Sequence, residues 1–405
     1  MVTVLLSDIE KAAGQHRDVI LRTQCSLSHY LTERTGADVY VKYENKQYTG
    51  SFKVRGALTK LLTLSEEQRS RGVVAMSAGN HAQGVAYNAE LLGVRATIVM
   101  PDSTPFTKIR NTTNLGAKVV IQGATLKEAA EHADLLASDQ GLTFIHPFND
   151  EHVIAGQGTI VLEMLGDVPE LDTIIVPVGG GGLIAGCAVA AKSTRPAMEV
   201  FGVETESYPS LTNALTGGSR PCSGSTLAEG IAVAEIGNIP FPLIKENVDK
   251  VLTVSESAIE SAVAMFALHD KVVAEGAGAA GLAAILEYPQ YFSEKKVGLI
   301  LCGGNIDSRM LSSVLMRNMV RYGQVVTLSI AMPDKPGQLH TVSGICAEAG
   351  ANVLAVEHSR FAMDLAASSA RLDITIETKD QEHAEEVIQN IKSEGFLVSV
   401  KELTK

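Results

Sequence analysis

Residues 173–191 carry no charged side chain, and four consecutive glycines, Gly179, Gly180, Gly181 and Gly182, stand at their centre. A stretch this apolar has two physical outcomes. A membrane span needs an unbroken helix, and the glycines with Pro177 would break one. The alternative is a buried β-branched strand over 173–178, a glycine turn, and a small-residue helix running to Lys192. Four glycines exceed what a turn requires. Without Cβ atoms their amides can converge, and the helix that opens at Leu183 adds positive potential, so the segment reads as a phosphate cradle. No lysine followed by Ser or Thr completes a Walker loop, so a nucleoside triphosphate is not implied.

The same rhythm fills the first 320 or so residues. Strands are predicted over 39–44, 73–76, 96–100, 118–121, 143–146, 173–178, 199–204 and 297–301, with helices between them. Such alternation implies an α/β fold with doubly wound parallel sheets. The first ~150 and the following ~170 residues look like two α/β units. The alternation ends near residue 322, where a domain boundary is expected. Ser7-Asp8-Ile9-Glu10 reads as a capping box opening the first helix. Residues 323–405 change character, to strand, helix, strand, strand, helix, strand, the ferredoxin-like βαββαβ order.

Net charge is −12 and no basic run occurs, which argues against nucleic acid and anionic membrane as partners. The five cysteines are scattered without a CxxC pair, as expected of reduced thiols in a cytoplasmic protein, and offer no zinc site. The N-terminus lacks the basic region of a signal peptide.

In open α/β sheets ligands bind beyond the carboxyl ends of strands, and three glycine-rich loops fall there, after Met76, Val178 and Leu301. Ser77-Ala78-Gly79-Asn80-His81 offers a hydroxyl, an amide, an imidazole and free N–H groups at a helix start, suited to a substrate carboxylate or, more plainly, to an N-cap by Ser77 or Asn80. Cys302-Gly303-Gly304-Asn305 places a thiol at a strand end with no evident base, which also suits a buried structural cysteine. Lys53, in Gly50-Ser51-Phe52-Lys53-Val54-Arg55-Gly56-Ala57, stands where loop becomes helix. Helix dipoles and apolar packing there favour the neutral, nucleophilic amine over a solvated one. Gly276-Ala277-Gly278-Ala279-Ala280-Gly281 matches G-x-G-x-x-G. It follows no clear strand, and no acid closes a strand about twenty residues on, so close helix packing fits it better than a dinucleotide.

Taken together, the Lys53, Ser77, Gly179 and Cys302 motifs resemble the threonine ammonia-lyase (threonine dehydratase) family, pyridoxal 5′-phosphate (PLP) enzymes of fold type II. The resemblance covers about residues 1–320 and implies a PLP-dependent catalytic domain 1–322 in which a small subdomain, about 49–150, is inserted in the larger one. The tail, with Asp334-Lys335-Pro336-Gly337, resembles an ACT domain. The resemblance implies that Lys53 carries PLP as a Schiff base and then removes the Cα proton. Phe52 would lie by the ring and Asn80 at its 3′-oxygen. Gly179, Gly180, Gly181, Gly182 and Leu183 would hold the phosphate. Cys302 would face the pyridine nitrogen, where a neutral thiol makes a weaker electron sink than a carboxylate would and suits elimination. Ser77, Ala78, Gly79, Asn80 and His81 would take the substrate carboxylate. Racemases of this fold typically have a serine where this chain has Ala78. The implied activity is conversion of L-threonine, and also L-serine, to 2-oxobutyrate or pyruvate and ammonia. A serine-specific dehydratase or a racemase is the alternative. An amino-acid effector at the tail and a homo-oligomer, dimer or tetramer, are implied as well. Some relatives bind a metal near the position of Glu229, but one carboxylate does not make a site, and no metal is expected.

Overall fold

The computed structural model describes residues 3–360, 366 and 368–401, which fall into two compact units, Met1–Ile306 and Asp307–Lys405. The first contains β1 (Cys25–Leu27), β2 (Asp38–Tyr43), β3 (Val73–Met76), β4 (Ala96–Met100), β5 (Lys118–Ile121), β6 (Thr143–Phe144), β7 (Thr173–Pro177), β8 (Glu199–Thr205), β9 (Lys250–Val254) and β10 (Lys296–Leu301). They form a six-stranded sheet, β1-β2-β10-β7-β8-β9, and a four-stranded sheet, β5-β4-β3-β6. Every pairing is parallel except β1 with β2. β1 and β2 thus lie in the large sheet with β7 to β10, although they precede the small sheet in the chain. A division into a first and a second half of the sequence does not follow the strands.

β7 is buried along its whole length, as a strand covered on both faces should be, and this accounts for its uninterrupted apolar run. The helices over it approach closely through small residues. A Cβ on Gly186 would fall 2.2 Å from Ile154 O, so helix Gly182–Thr194 lies directly on helix Glu151–Asp167. Helix Lys53–Leu62 meets the same helix at Gly56 and Gly156, where a Cβ on the latter would stand 2.7 Å from Gly56 Cα. Asp150 caps helix Glu151–Asp167, accepting from His152 N–H (2.9 Å) and Val153 N–H (3.1 Å), a bond worth about 1 kcal/mol. The first helix, Leu6–His16, begins before the expected capping box. Ser7 lies inside it, and Asp8 accepts instead from the N–H of Leu5 (2.9 Å), supplying only the acid half of the device.

The second unit adds helix Ser308–Arg321, then β11 (Val325–Pro333), helix Gln338–Glu348, β12 (Asn352–Ser359), β13 (Ser369–Glu377), helix Gln381–Ser393 and β14 (Leu397–Val400). The antiparallel sheet order is β12-β13-β11-β14, the expected ferredoxin-like arrangement. β13 alternates buried and half-buried residues, and Leu372, Ile374 and Ile376 meet Val342, Val387 and Ile391 in a single core. Among the described residues no helix is long and apolar enough to cross a membrane.

Candidate active site

Lys53 is the first residue of helix Lys53–Leu62. The loop before it is fastened to the end of β10. Phe52 N–H donates to Cys302 O (3.0 Å), Gly304 N–H donates to Gly50 O (2.9 Å), and Ser51 bridges to Gly303. The lysine and cysteine motifs, about 250 residues apart, therefore share one backbone frame. The amine of Lys53 donates to Pro147 O (2.9 Å) and lies 5.2 Å from the centre of the Phe52 ring. Burial pushes it down to about 8, against the opposing pull of Cys302 and Glu275. A solvated surface lysine would sit above 10.

Pro147 belongs to a segment after β6 that the sequence did not single out. His146 Nδ1 accepts from the amides of Phe148 (3.2 Å) and Asn149 (2.8 Å), and burial, then the charge of Lys53, lowers this ring to about 4 and keeps it neutral. Phe148 lies against the glycine run. A Cβ on Gly180 would fall 2.3 Å from its ring, and one on Gly182 would fall 2.9 Å from its Cα. Asn149 Oδ1 accepts from the Ile239 N–H (2.9 Å). One short segment thus holds the lysine on one side and the glycine run on the other.

Gly181 takes φ +94° and leads into helix Gly182–Thr194. Gly180, Gly181, Gly182 and Leu183 are buried, yet among the described residues the amides of Gly179 to Leu183 donate to no backbone carbonyl. Buried amides left unpaired are costly, and a row of them at a helix N-terminus is a site that lacks its acceptor.

The loop after β3 opens helix Asn80–Leu91. Ser77, Ala78, Gly79 and Asn80 are half-buried, and neither Ser77 nor Asn80 caps the helix through its side chain; Ser77 Oγ accepts from Gly79 N–H (3.1 Å). The His81 ring is turned inward to Ile145 O (2.8 Å), and burial lowers it to about 3, so its backbone amide is the group it offers to the helix mouth. Asn80 Nδ2 donates to Glu275 Oε1 (2.7 Å). Asn305 Nδ2 donates to both Asn80 Oδ1 (2.7 Å) and Thr49 O (2.7 Å). Cys302 is buried, and burial, then Glu275, holds its thiol well above the usual range, hence neutral. Glu229 pairs with Lys108 (2.6 Å).

Glu275 was not legible as a site residue. It precedes the G-x-G-x-x-G run, which forms helix Gly276–Glu287, and a Cβ on Gly278 would fall 2.4 Å from Gly303 O. These glycines let the helix lie on the cysteine loop, the close packing expected of them.

Residues 16–303 match the protein family described as pyridoxal-phosphate dependent enzyme, and residues 326–396 match the ACT domain. The chain belongs to the pyridoxal-phosphate dependent enzymes. It is 45% identical to an L-threonine ammonia-lyase of Thermotoga maritima, over 98% of this chain and 99% of that one. Among solved structures it resembles the processed form of threonine deaminase isoform 2 from Solanum lycopersicum (TM-score 0.73, 36% identity, 77% of this chain and 86% of that one). It also resembles serine racemase from Dictyostelium discoideum (TM-score 0.71, 38% identity, 76% of this chain and 100% of that one). The family's cofactor fits the residues present. An aldehyde would find a desolvated amine at Lys53, and a phosphate would find the unpaired amides at the glycine run.

Proposed function

We infer that this PLP-dependent enzyme deaminates L-threonine, and also L-serine, to a 2-oxo acid and ammonia by β-elimination. The observation that carries the reading is the Lys53 amine, desolvated to about 8 and joined through Pro147 and Phe148 to a row of unpaired buried amides. PLP, when bound, supplies an electron sink for the charge left at Cα. Lys53 would hold the cofactor, and its amine, when free, would serve as the base for the Cα proton. Gly179, Gly180, Gly181, Gly182 and Leu183 would hold the phosphate through backbone amides. Phe52 would lie by the ring, Asn80 would donate to the ring oxygen, and the neutral Cys302 thiol would face the pyridine nitrogen and keep the sink weak. The amides opening helix Asn80–Leu91, with Ser77, Ala78, Gly79 and His81 around them, orient the substrate carboxylate.

The likeness to serine racemase supports a second reading. Ala78 weighs against it, since a methyl group cannot move a proton on the second face of Cα. The ACT match supports regulation by an amino acid bound in the second unit, with a branched-chain amino acid as the first to test. We also infer a cytoplasmic homo-oligomer, dimer or tetramer. Free, scattered cysteines support the reducing compartment.

The purified protein is expected to be yellow, and borohydride is expected to bleach the band and fix the cofactor on Lys53. Fully loaded protein without such a band would overturn the reading. Initial rates with threonine, serine and phosphohomoserine, and assay of D-serine, separate the dehydratase from its relatives. Gly182→Ala forces its methyl against the Phe148 backbone and displaces the segment that also holds Lys53. It is expected to weaken PLP binding by roughly tenfold or more, about the worth of one strong hydrogen bond. Titration of the apoprotein with PLP checks this.

A further inference from the structure

Glu275 occupies the N-cap of helix Gly276–Glu287 yet does not cap it. An acid at that position ordinarily accepts from the first-turn amides of its own helix. Here the carboxyl is turned away, onto the side chain of Asn80 (2.7 Å) and the backbone N–H of Asn305. Space has been left for it: a Cβ on Gly303 would fall 2.4 Å from Oε1.

The direction of the resulting chain of hydrogen bonds is fixed at its far end. Thr49 O can only accept, so Asn305 must present its NH₂ there. The other hydrogen of that NH₂ goes to Asn80, so Asn80 must present its oxygen to Asn305 and its nitrogen to Glu275. One N–H of Asn80 is thereby engaged and the other is left for a ligand.

We propose that Glu275 is a positioning residue: its carboxyl locks the Asn80 amide so that the second N–H is presented to the ring oxygen of bound PLP. This rests on the reading of Asn80 given above. The charged and titratable groups that face the carboxyl are Lys53 from helix Lys53–Leu62, Cys302 at the end of β10, Lys108 from helix Phe106–Thr113, and Glu229. Burial outweighs the hydrogen bond from Asn80 and the charge of Lys108 and raises the group to about 7. The hold on Asn80 therefore tightens as pH rises through neutrality, when a carboxylate replaces a neutral acid as the acceptor.

The test uses the full chain with Glu275→Gln and Glu275→Ala. Glutamine keeps an acceptor for Asn80 but cannot titrate. Alanine releases the amide. Apoproteins are titrated with PLP, and the visible spectrum of each loaded protein is followed from pH 5.5 to 9. Glu275→Ala is expected to lose roughly tenfold or more in PLP affinity and to shift the absorption band, as loss of a charge-assisted hydrogen bond should. Glu275→Gln is expected to bind PLP as the wild type does but to lose the spectral change near pH 7. Wild-type affinity and spectrum in Glu275→Ala would overturn the proposal. So would a Glu275→Gln spectrum that still titrates as the wild type does, which decides the matter even if the alanine variant does not fold. A wild-type protein that takes up no PLP would overturn the underlying reading as well, and is told apart by its lack of colour.

Discussion

Lys53→Ala is expected to lose threonine turnover by at least about 10⁴-fold, the upper range for removal of one proton-transferring group. The side chain is positioned at both ends. Its backbone begins helix Lys53–Leu62, and the preceding Phe52 N–H is bonded to Cys302 O. Its amine reaches Pro147 O. Burial brings the amine to about 8, so a sizeable neutral fraction exists at mildly alkaline pH, where a free lysine would be almost wholly charged. Alanine removes the nucleophile and the base together. Lys53→Arg keeps charge and approximate size but stays protonated, and is expected to be as inactive as alanine. Neither change removes a buried ion pair, so melting temperatures of the apoproteins should stay within a few degrees of wild type. Partial rescue of Lys53→Ala by added small amines would show that the loss is chemical. Full turnover by Lys53→Ala would instead overturn the assignment of Lys53 as nucleophile and base.

Residue types that few positions tolerate made much of this site legible. The lysine motif, the glycine run, the Asn80 loop and the cysteine loop each end or begin an element where a special backbone or side chain is needed, and the structure brings them to one place. What stayed hidden depends on contacts distant in sequence. Glu275 looks like an ordinary helix cap until Asn80, 195 residues away, turns out to be its partner. His146 reads as the end of the strand 143–146 and Pro147 to Asn149 carry no motif, because nothing local says that Phe148 covers Gly180. β1 has three residues and lies at a sheet edge, too short to carry a period. Asp8 belongs to the cap, but whether Leu5 or Ser7 is the N-cap is decided by a single hydrogen bond, from Leu5 N–H to Asp8.

Arg55, in the lysine motif but without an assigned role, is expected to be the most damaging position for stability. Arg55→Met should cost about 3–5 kcal/mol, the price of stranding buried charges, and lower the melting temperature by roughly 10 °C. Arg55 is fully buried, as are Lys42 and Glu44. All five guanidinium hydrogens are used. Nε and Nη2 donate to the two oxygens of Glu44 (2.8 Å each), Nη2 and Nη1 to those of Glu163 (2.8 and 2.7 Å), and Nη1 also to Thr159 Oγ1 (3.1 Å). Lys42 Nζ closes the cluster on Glu163 (2.5 Å) and Thr23 O (2.6 Å). Burial alone would lower Arg55, but Glu44 and Glu163 outweigh it and hold the guanidinium above its usual range. The cluster ties the helix that carries Lys53 to β2 and to helix Glu151–Asp167, so the same change should also lower kcat. Arg55→Lys keeps the charge but not the fork that reaches both carboxylates, and is expected to recover only part of the loss. The decisive comparison is with Arg55→Met combined with Glu44→Leu. If stranded charge is the cause, the double variant melts higher than the sum of the two single changes predicts, because no carboxylate of Glu44 remains without its partner. If instead Arg55→Met melts within a degree or two of wild type, the cluster contributes no net stability, and its place beside Lys53 must be explained by positioning alone.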